Sequence, residues 1–498
     1  LALISDLFFE ARAAAQNLLE YAVGPHVRLG VTGLSRAGKT VFITALIEHL
    51  TKAAARGAQR NALPVFRVRA EGRLSAGSLE PQPDDAVPRF AYEEHAAALS
   101  GGSSGPEGRH WPQSTRRISE LRLRLDFESR GGFRPGPQSL AIDIVDYPGE
   151  WLLDLPLLNK SFAQWSRETF IASATAARAP LSTKWREFAG ASTPIAKASE
   201  EDARRAAELF TQYLRACRAD EYSFSSLPPG RFLMPGDLEG SPALTFAPLA
   251  VDEGAVYAPD SLAGMMERRF EAYKTHVIRP FFQDHFARLD RQIVLVDALS
   301  ALNAGPAAIR DLEVAITDVL TAFRVGRGGF LMNLFRPRID KILFAATKAD
   351  HLHHTSHDRL EAILRLITAR AIARVETIGA EVDVIALAAV RATREAKVNG
   401  FGQAPMEAVI GTPLDQERIG DEVFDGKSEA AIFPGELPRD PQAILLGEPL
   451  AIMANEIDYR FVRFRPPPPR RAPDGTLLPP PHIRMDRALQ YLLGDKLT

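Results

Sequence analysis

The chain has 498 residues, more than one compact core usually organises, so a core with large insertions or two to three domains is expected. A hydrophobic fraction of 46%, a charged fraction of 24% and a formal charge of −2 exclude a whole-molecule pull toward nucleic acid or anionic lipid, leaving only local contacts of that kind. The single cysteine, Cys217, excludes an internal disulfide and a cysteine-built metal site, which fits a reducing, cytoplasmic setting, and no run approaches the roughly 18 apolar residues of a membrane span.

Residues 1–22 carry Leu3, Leu7, Phe8 and Ala11 at helical spacing and predict an amphipathic helix packed on the core. The chain opens at Leu1 rather than methionine, which leaves a short preceding segment open. A short β-branched strand, Val27 to Val31, then runs into Gly33-Leu-Ser-Arg-Ala-Gly38-Lys39-Thr40 and the apolar-periodic helix that starts at Val41. Strand, glycine-bounded loop and helix make an anion cradle, because converging N–H groups and a helix N-terminus both face the ligand. The candidate phosphate contacts are Gly33, Ser35, Arg36, Ala37, Gly38, Lys39, Thr40 and Val41, with Lys39 as the mobile charge and the Thr40 hydroxyl on Mg²⁺. Arg36 reads either as a built-in charge donor to the phosphates or as a solvated loop residue. Residues 60–109, with their "SLEPQPDDAVP" and "SGGSSGPEG" runs, predict a partly looped, mobile insertion.

Leu121, Leu123, Leu125 and Phe127 alternate with charged residues as an edge strand does, and Leu140 to Val145 is an apolar strand ending in Asp146-Tyr-Pro-Gly149. Asp146 can hold a Mg²⁺-bound water, and Gly149, lacking a side chain, can offer its N–H to a terminal phosphate. Residues 159–290 read as mainly helical around an irregular Pro/Gly centre, and "QIVLVDAL" predicts a strand over 292–299. The stretch 323–340 interleaves four arginines with Phe330, Leu331, Met332, Leu334 and Phe335, a candidate for protein or membrane-surface contact with too small a basic footprint for nucleic acid.

The strand Ile342 to Ala346 delivers Thr347, Lys348 and Asp350 to its C-terminal end. Asp350 can accept two hydrogen bonds from the Watson–Crick edge of guanine, a donor pair that adenine lacks, while Lys348 lays its stem along the base. A further strand, Val382 to Leu387, ends in Ala388, Ala389 and Val390, where small side chains let a backbone N–H reach the base oxygen. His353 and His357, four apart, read as a metal pair or as capping residues, the latter favoured because no carboxylate or cysteine is evidently grouped with them. The proline run 466–469 predicts a stiff strap, and "MDRALQYLLGDKL" an amphipathic helix docking back on the body.

Taken in order, the loop, Asp-x-x-Gly, Thr-Lys-x-Asp and the small-residue strand end resemble the Ras-like G domain, and "GLSRAGKT", "DYPGEW", "TKADH" and the tail "RFRPPPPRRAPDG…PHIRMDRALQYLLGDKL" resemble the YcjX-like family of bacterial stress-associated GTP-binding proteins. The resemblance implies an α/β fold, a Ras-like P-loop NTPase core with a mostly parallel six-stranded sheet and one antiparallel edge strand, carrying large, mainly helical insertions. It divides the chain into a discontinuous G domain (1–59, 110–160 and 290–400), a first-switch insertion (60–109), a helical insertion (161–289) and a C-terminal extension (401–498). It also implies a threonine that closes over Mg²⁺ before the edge strand, with Thr115 as candidate and Ser114 as rival. Glu150 stands where such enzymes usually carry the glutamine that orients water, and its charge beside a terminal phosphate predicts slow turnover. The expectation is a GTP/GDP-binding, Mg²⁺-dependent switch in a bacterial stress response with slow GTP hydrolysis, in which Lys39, Glu150, Thr115 and Arg36 do the chemistry. It is cytoplasmic, with a protein or peripheral inner-membrane contact through 323–340 or the helical insertion. A guanine-nucleotide scaffold without turnover is the competing reading.

Overall fold

The computed structural model describes residues 25–34, 36–52, 62–82, 84–130, 135–321, 339–376, 379–398, 406–444 and 459–498. The helix expected over 1–22, Ser35 of the phosphate loop and all but the last two residues of the arginine-rich 323–340 stretch lie outside them.

In chain order the central elements are β1 (His26–Gly33), α1 (Lys39–Thr51), β2 (Leu74–Glu80), α2 (Tyr92–Ser100), β3 (Ser119–Ser129) and β4 (Gly136–Asp146). After the helices α3 (Phe162–Ser173), α4 (Ala179–Ala191), α5 (Glu200–Cys217) and α6 (Leu262–Tyr273) come β5 (Arg291–Val296), α7 (Ala298–Ala304), α8 (Pro306–Thr321), β6 (Lys341–Ala346), α9 (His357–Glu376) and β7 (Glu381–Ala386). Strands β8 (Arg394–Val398) and β9 (Met406–Gly411) and the C-terminal helix α10 (Met485–Leu493) close the chain.

Among the described residues one sheet runs β2-β3-β4-β1-β5-β6-β7. Strands β4, β1, β5, β6 and β7 are parallel and β3 joins them antiparallel, the arrangement expected of the core. A seventh strand, β2, comes from the insertion expected to be partly loop, and pairs antiparallel with β3. Gly77 makes this possible: a Cβ there would stand 2.2 Å from the Leu50 carbonyl oxygen at the end of α1, so only glycine lets the strand lie against the helix.

Period-2 alternation buries the central strands on both faces, as parallel sheets require. Ile293, Leu295, Leu343 and Ala345 join one core with Phe42 and Leu46 of α1 and Leu489 and Leu492 of α10. Val294, Val296, Ile342 and Phe344 join the other, with the helices α3 to α9. The helical segment has its own aromatic centre, where Trp165 stacks on Phe270 at 5.1 Å and Trp185 on Tyr213 at 5.5 Å. The strand expected over 292–299 stops at Val296, because the Asp297 carboxylate accepts the Ser300 N–H at 3.1 Å and starts α7 instead.

Register aligns the C-terminal strand ends. Val31 faces Asp146, Gly33 faces Leu295, Val296 faces Ala346 and Ala346 faces Ala386, so the residues that follow gather along one edge, where ligands bind in open α/β sheets. The docked tail completes that edge. Asp486 accepts the Val65 N–H at 3.0 Å, and the strap runs past the end of the insertion, where Arg109 Nε donates to the Pro466 carbonyl at 2.7 Å. No helix among the described residues is long and apolar enough to cross a membrane.

Candidate functional site

The phosphate loop turns through two left-handed residues, Arg36 at φ 64° and Gly38 at φ 81°, before α1 begins at Lys39. Only glycine takes that conformation without strain, so Gly38 sets the turn that opens the helix N-terminus. Ala37 N–H closes on Leu34 O at 3.2 Å, and Lys39 Nζ folds back to Gly33 O at 3.1 Å. Gly33 is enclosed: a Cβ would lie 2.8 Å from Leu295 O and 3.0 Å from the Ala37 Cβ. Thr40 is buried and Val41 half-buried on the first turn.

Three residues from separate elements meet beside the loop. Thr115 Oγ1 lies 3.2 Å from Thr40 Oγ1 and donates to Asp146 Oδ2. Ser114, the rival, is exposed. Burial pushes the Asp146 carboxyl up to about 6, against the pull of the Lys39 charge and the Thr115 hydrogen bond. Its Oδ1 is buried without a hydrogen-bond partner among the described residues. An orphaned carboxylate oxygen beside two hydroxyls is an all-oxygen donor set, and it fits a hard divalent cation such as Mg²⁺.

The segment after Asp146 presses on the loop. A Cβ on Gly149 would fall 1.7 Å from Gly33 O, so this close backbone approach excludes every residue with a side chain. Glu150 is buried, and Arg218 Nη2, one residue beyond α5, donates to its Oε1 at 2.5 Å. Two residues further, Asp220 pairs with Arg36 of the loop, and Arg463 Nη1 of the tail approaches Asp220 at 3.9 Å. Burial, then the neighbouring Arg218 and Arg463 guanidinium groups, lower Arg36 from its ordinary value, opposed by Asp297 and Glu150. The turn after α5 thus reaches both Glu150 and Arg36.

The helical segment also straps the stretch beyond Glu150. Asp154 accepts the Gly230 N–H and the Tyr273 hydroxyl, each at 2.7 Å, and Trp151 Nε1 donates to Met234 O at 2.9 Å. The Arg231 guanidinium stands 3.1 Å from the centre of the Trp151 ring, and a Cβ on Gly230 would lie 1.7 Å from Glu150 O. Burial raises Asp154 to about 7, although Tyr273, Gly230 and Arg231 draw it down.

At the other end of the sheet edge, Thr347 N–H and Oγ1 both donate to Val296 O, at 2.9 and 3.3 Å, tying the base loop to β5. Lys348 sits at φ 61°, and its Nζ meets Asp297 Oδ2 at 2.5 Å, which fixes the stem expected along the base. Asp350 is buried and its Oδ2 accepts the Ala392 N–H at 2.9 Å, so one carboxylate oxygen is already bonded to the protein. At the strand end expected to offer a backbone N–H to the base oxygen, the Ala388 N–H donates to Ile483 O at 3.1 Å, where the tail bridges to the strand; Ala389 and Val390 follow it.

Arg218, Asp220, Asp154, Tyr273 and Asp297 were not among the expected site residues. Their partners lie 51 to 184 positions away or are reached only through the fold, and no local spacing marks them. The "LPPGRF" run around Gly230 offered the one sequence signal, a glycine of close approach after two prolines.

The model of the YcjX-like family, DUF463, matches residues 27–497. A relative from Escherichia coli (strain K12), described as "Ras-like GTPase YcjX", is 38% identical over 489 residues, which is 96% of this chain and 98% of that protein. A Shewanella oneidensis relative with the same description is 35% identical over 506 residues, covering 97% of each chain.

Proposed function

This chain belongs to the YcjX-like family, and we propose that it is a GTP-binding protein that hydrolyses GTP slowly and uses the nucleotide as a switch. The observation that carries the reading is the meeting of Thr40, Thr115 and Asp146 around a buried, unpartnered carboxylate oxygen beside the Lys39 loop. Those three residues would hold Mg²⁺, which would there supply positive charge against the phosphates. The chain's own groups do the rest. Loop N–H groups and Lys39 grip the phosphates, Gly149 offers its N–H to the terminal phosphate, and Asp350, held by Ala392, selects guanine by its paired donors.

Glu150 orients water through one carboxylate oxygen while Arg218 offsets its charge, so a glutamate is tolerated where a neutral glutamine is usual. Slow turnover follows, because the carboxylate still opposes an incoming terminal phosphate. The stress-response setting and a protein or membrane partner rest on the family resemblance and on the helical segment joined to Gly149. Competition of unlabelled GDP and ADP against a fluorescent guanine nucleotide tests the assignment. GDP should be preferred by at least about a hundredfold by the wild type and lose most of that preference in Asp350→Ala. Equal affinities, or an unchanged preference in the variant, would defeat it.

A further inference from the structure

The histidine-rich run after Asp350 has a use outside the nucleotide site. The disfavoured reading of the spacing, a metal pair of His353 and His357, does not form: His357 Nε2 is bonded to Ala349 O at 2.9 Å in the interior. Its place is taken by the adjacent pair. His353 is buried, and its Nδ1 lies 3.0 Å from Thr355 Oγ1, whose hydroxyl donates to Glu407 Oε2, itself 3.3 Å from the same nitrogen. With its own proton committed to Glu407, Thr355 Oγ1 accepts, which puts the ring proton on Nδ1 and leaves the Nε2 lone pair facing Glu395 Oε2 at 3.8 Å. His354 Nδ1 approaches the same oxygen at 2.6 Å. Arg391 Nη2 holds the other oxygen of Glu395 at 3.2 Å and so fixes which one turns toward the histidines.

A neutral imidazole lone pair aimed at a carboxylate is repulsive unless something positive lies between them. A second ring proton meets the need for one histidine. His354 can meet the oxygen with a neutral Nδ1–H, whereas a metal ion would engage both rings at once, and three ligand atoms, one each from His353, His354 and Glu395, lie within 4.8 Å of one another. We propose that His353, His354 and Glu395 bind a divalent transition metal of the zinc class, with Glu407 orienting His353 from behind. Two imidazoles and one carboxylate suit zinc over magnesium or calcium, and a carboxylate on the far nitrogen of a ligand histidine is the usual supporting contact. The His354 side chain is 64% exposed, so the fourth position opens to solvent. The ion would join the segment after the base loop to β8, whose lead-in residues Ala392 and Thr393 bond to Asp350.

The test uses untagged, nucleotide-free full-length protein, stripped with chelator, dialysed against zinc chloride and assayed for bound metal, with cobalt substitution as a spectroscopic check. One zinc equivalent is expected in the wild type and in the control His276→Ala, which changes an exposed histidine elsewhere. His354→Ala and Glu395→Gln should each weaken that equivalent at least about tenfold, and Glu407→Gln about tenfold. His354 is exposed, so its variant keeps the fold. A wild type that takes up no zinc, or zinc retained equally by His354→Ala and Glu395→Gln, as a cation at Asp146 would be, overturns the proposal.

Discussion

Glu150 decides how this site differs from one built around a neutral glutamine. A buried carboxylate is unfavourable alone, and here Arg218 meets it at 2.5 Å from a turn 68 residues away. Removing Arg218 leaves a buried charge that both destabilises the segment and repels a third phosphate more than it repels a diphosphate. Arg218→Ala is therefore expected to shift the GTP-to-GDP affinity ratio toward GDP by about tenfold, and the double variant Arg218→Ala/Glu150→Gln to restore it. Titration of a non-hydrolysable GTP analogue and of GDP reads the ratio; no change in Arg218→Ala would show that the pair is only structural. Sequence reading identified Glu150 as the odd residue, because one position after Gly149 is a fixed place in the pattern. It missed Arg218, because an arginine at a helix end looks the same whether or not a carboxylate waits across the fold.

The element that carries Glu150, the stretch Gly149 to Asn159, is tied to the helical segment more than to the sheet. Asp154 is the clearest tie, buried and bonded to Gly230 and Tyr273. Its carboxyl ionises near 3.8 in the unfolded chain and near about 7 in the folded one. Between those values the folded chain keeps a proton that the unfolded chain releases, so Asp154's contribution to stability falls as pH rises from about 4 to about 7 and is level outside that window. Asp154→Asn stays neutral and lacks this slope. Urea unfolding across the window should show the wild type losing stability relative to the variant by a few kcal/mol as pH rises. A constant difference would mean that Asp154 is ionised throughout. A similar local-versus-distant divide explains β2, whose "LSAGSLE" reads as loop by its glycine and serines and becomes a strand only because Gly77 fits against α1.

At the scale of the molecule, the loop, the Asp-x-x-Gly turn and the Thr-Lys-x-Asp turn were legible because each is a short run whose backbone requirements dictate its residues. The mostly parallel sheet was implied by the resemblance those runs carry, while its order and the added strand β2 came from the structure. What sequence could not carry was the way the helical segment and the tail converge on that edge, through Arg218, Asp220, Arg463 and Ile483. This convergence predicts that a nucleotide-dependent shift of Gly149 travels outward. Hydrogen exchange should differ between GDP and a GTP analogue at 149–159 and at 218–234, and identical exchange in both would break the link between site and segment. Turnover at this site is measured by single-turnover GTP hydrolysis with Mg²⁺ or with chelator. A slow rate clearly above that of buffer, lost when Mg²⁺ is removed, is expected; a rate equal to buffer with Mg²⁺ present would contradict turnover and leave a guanine-nucleotide scaffold.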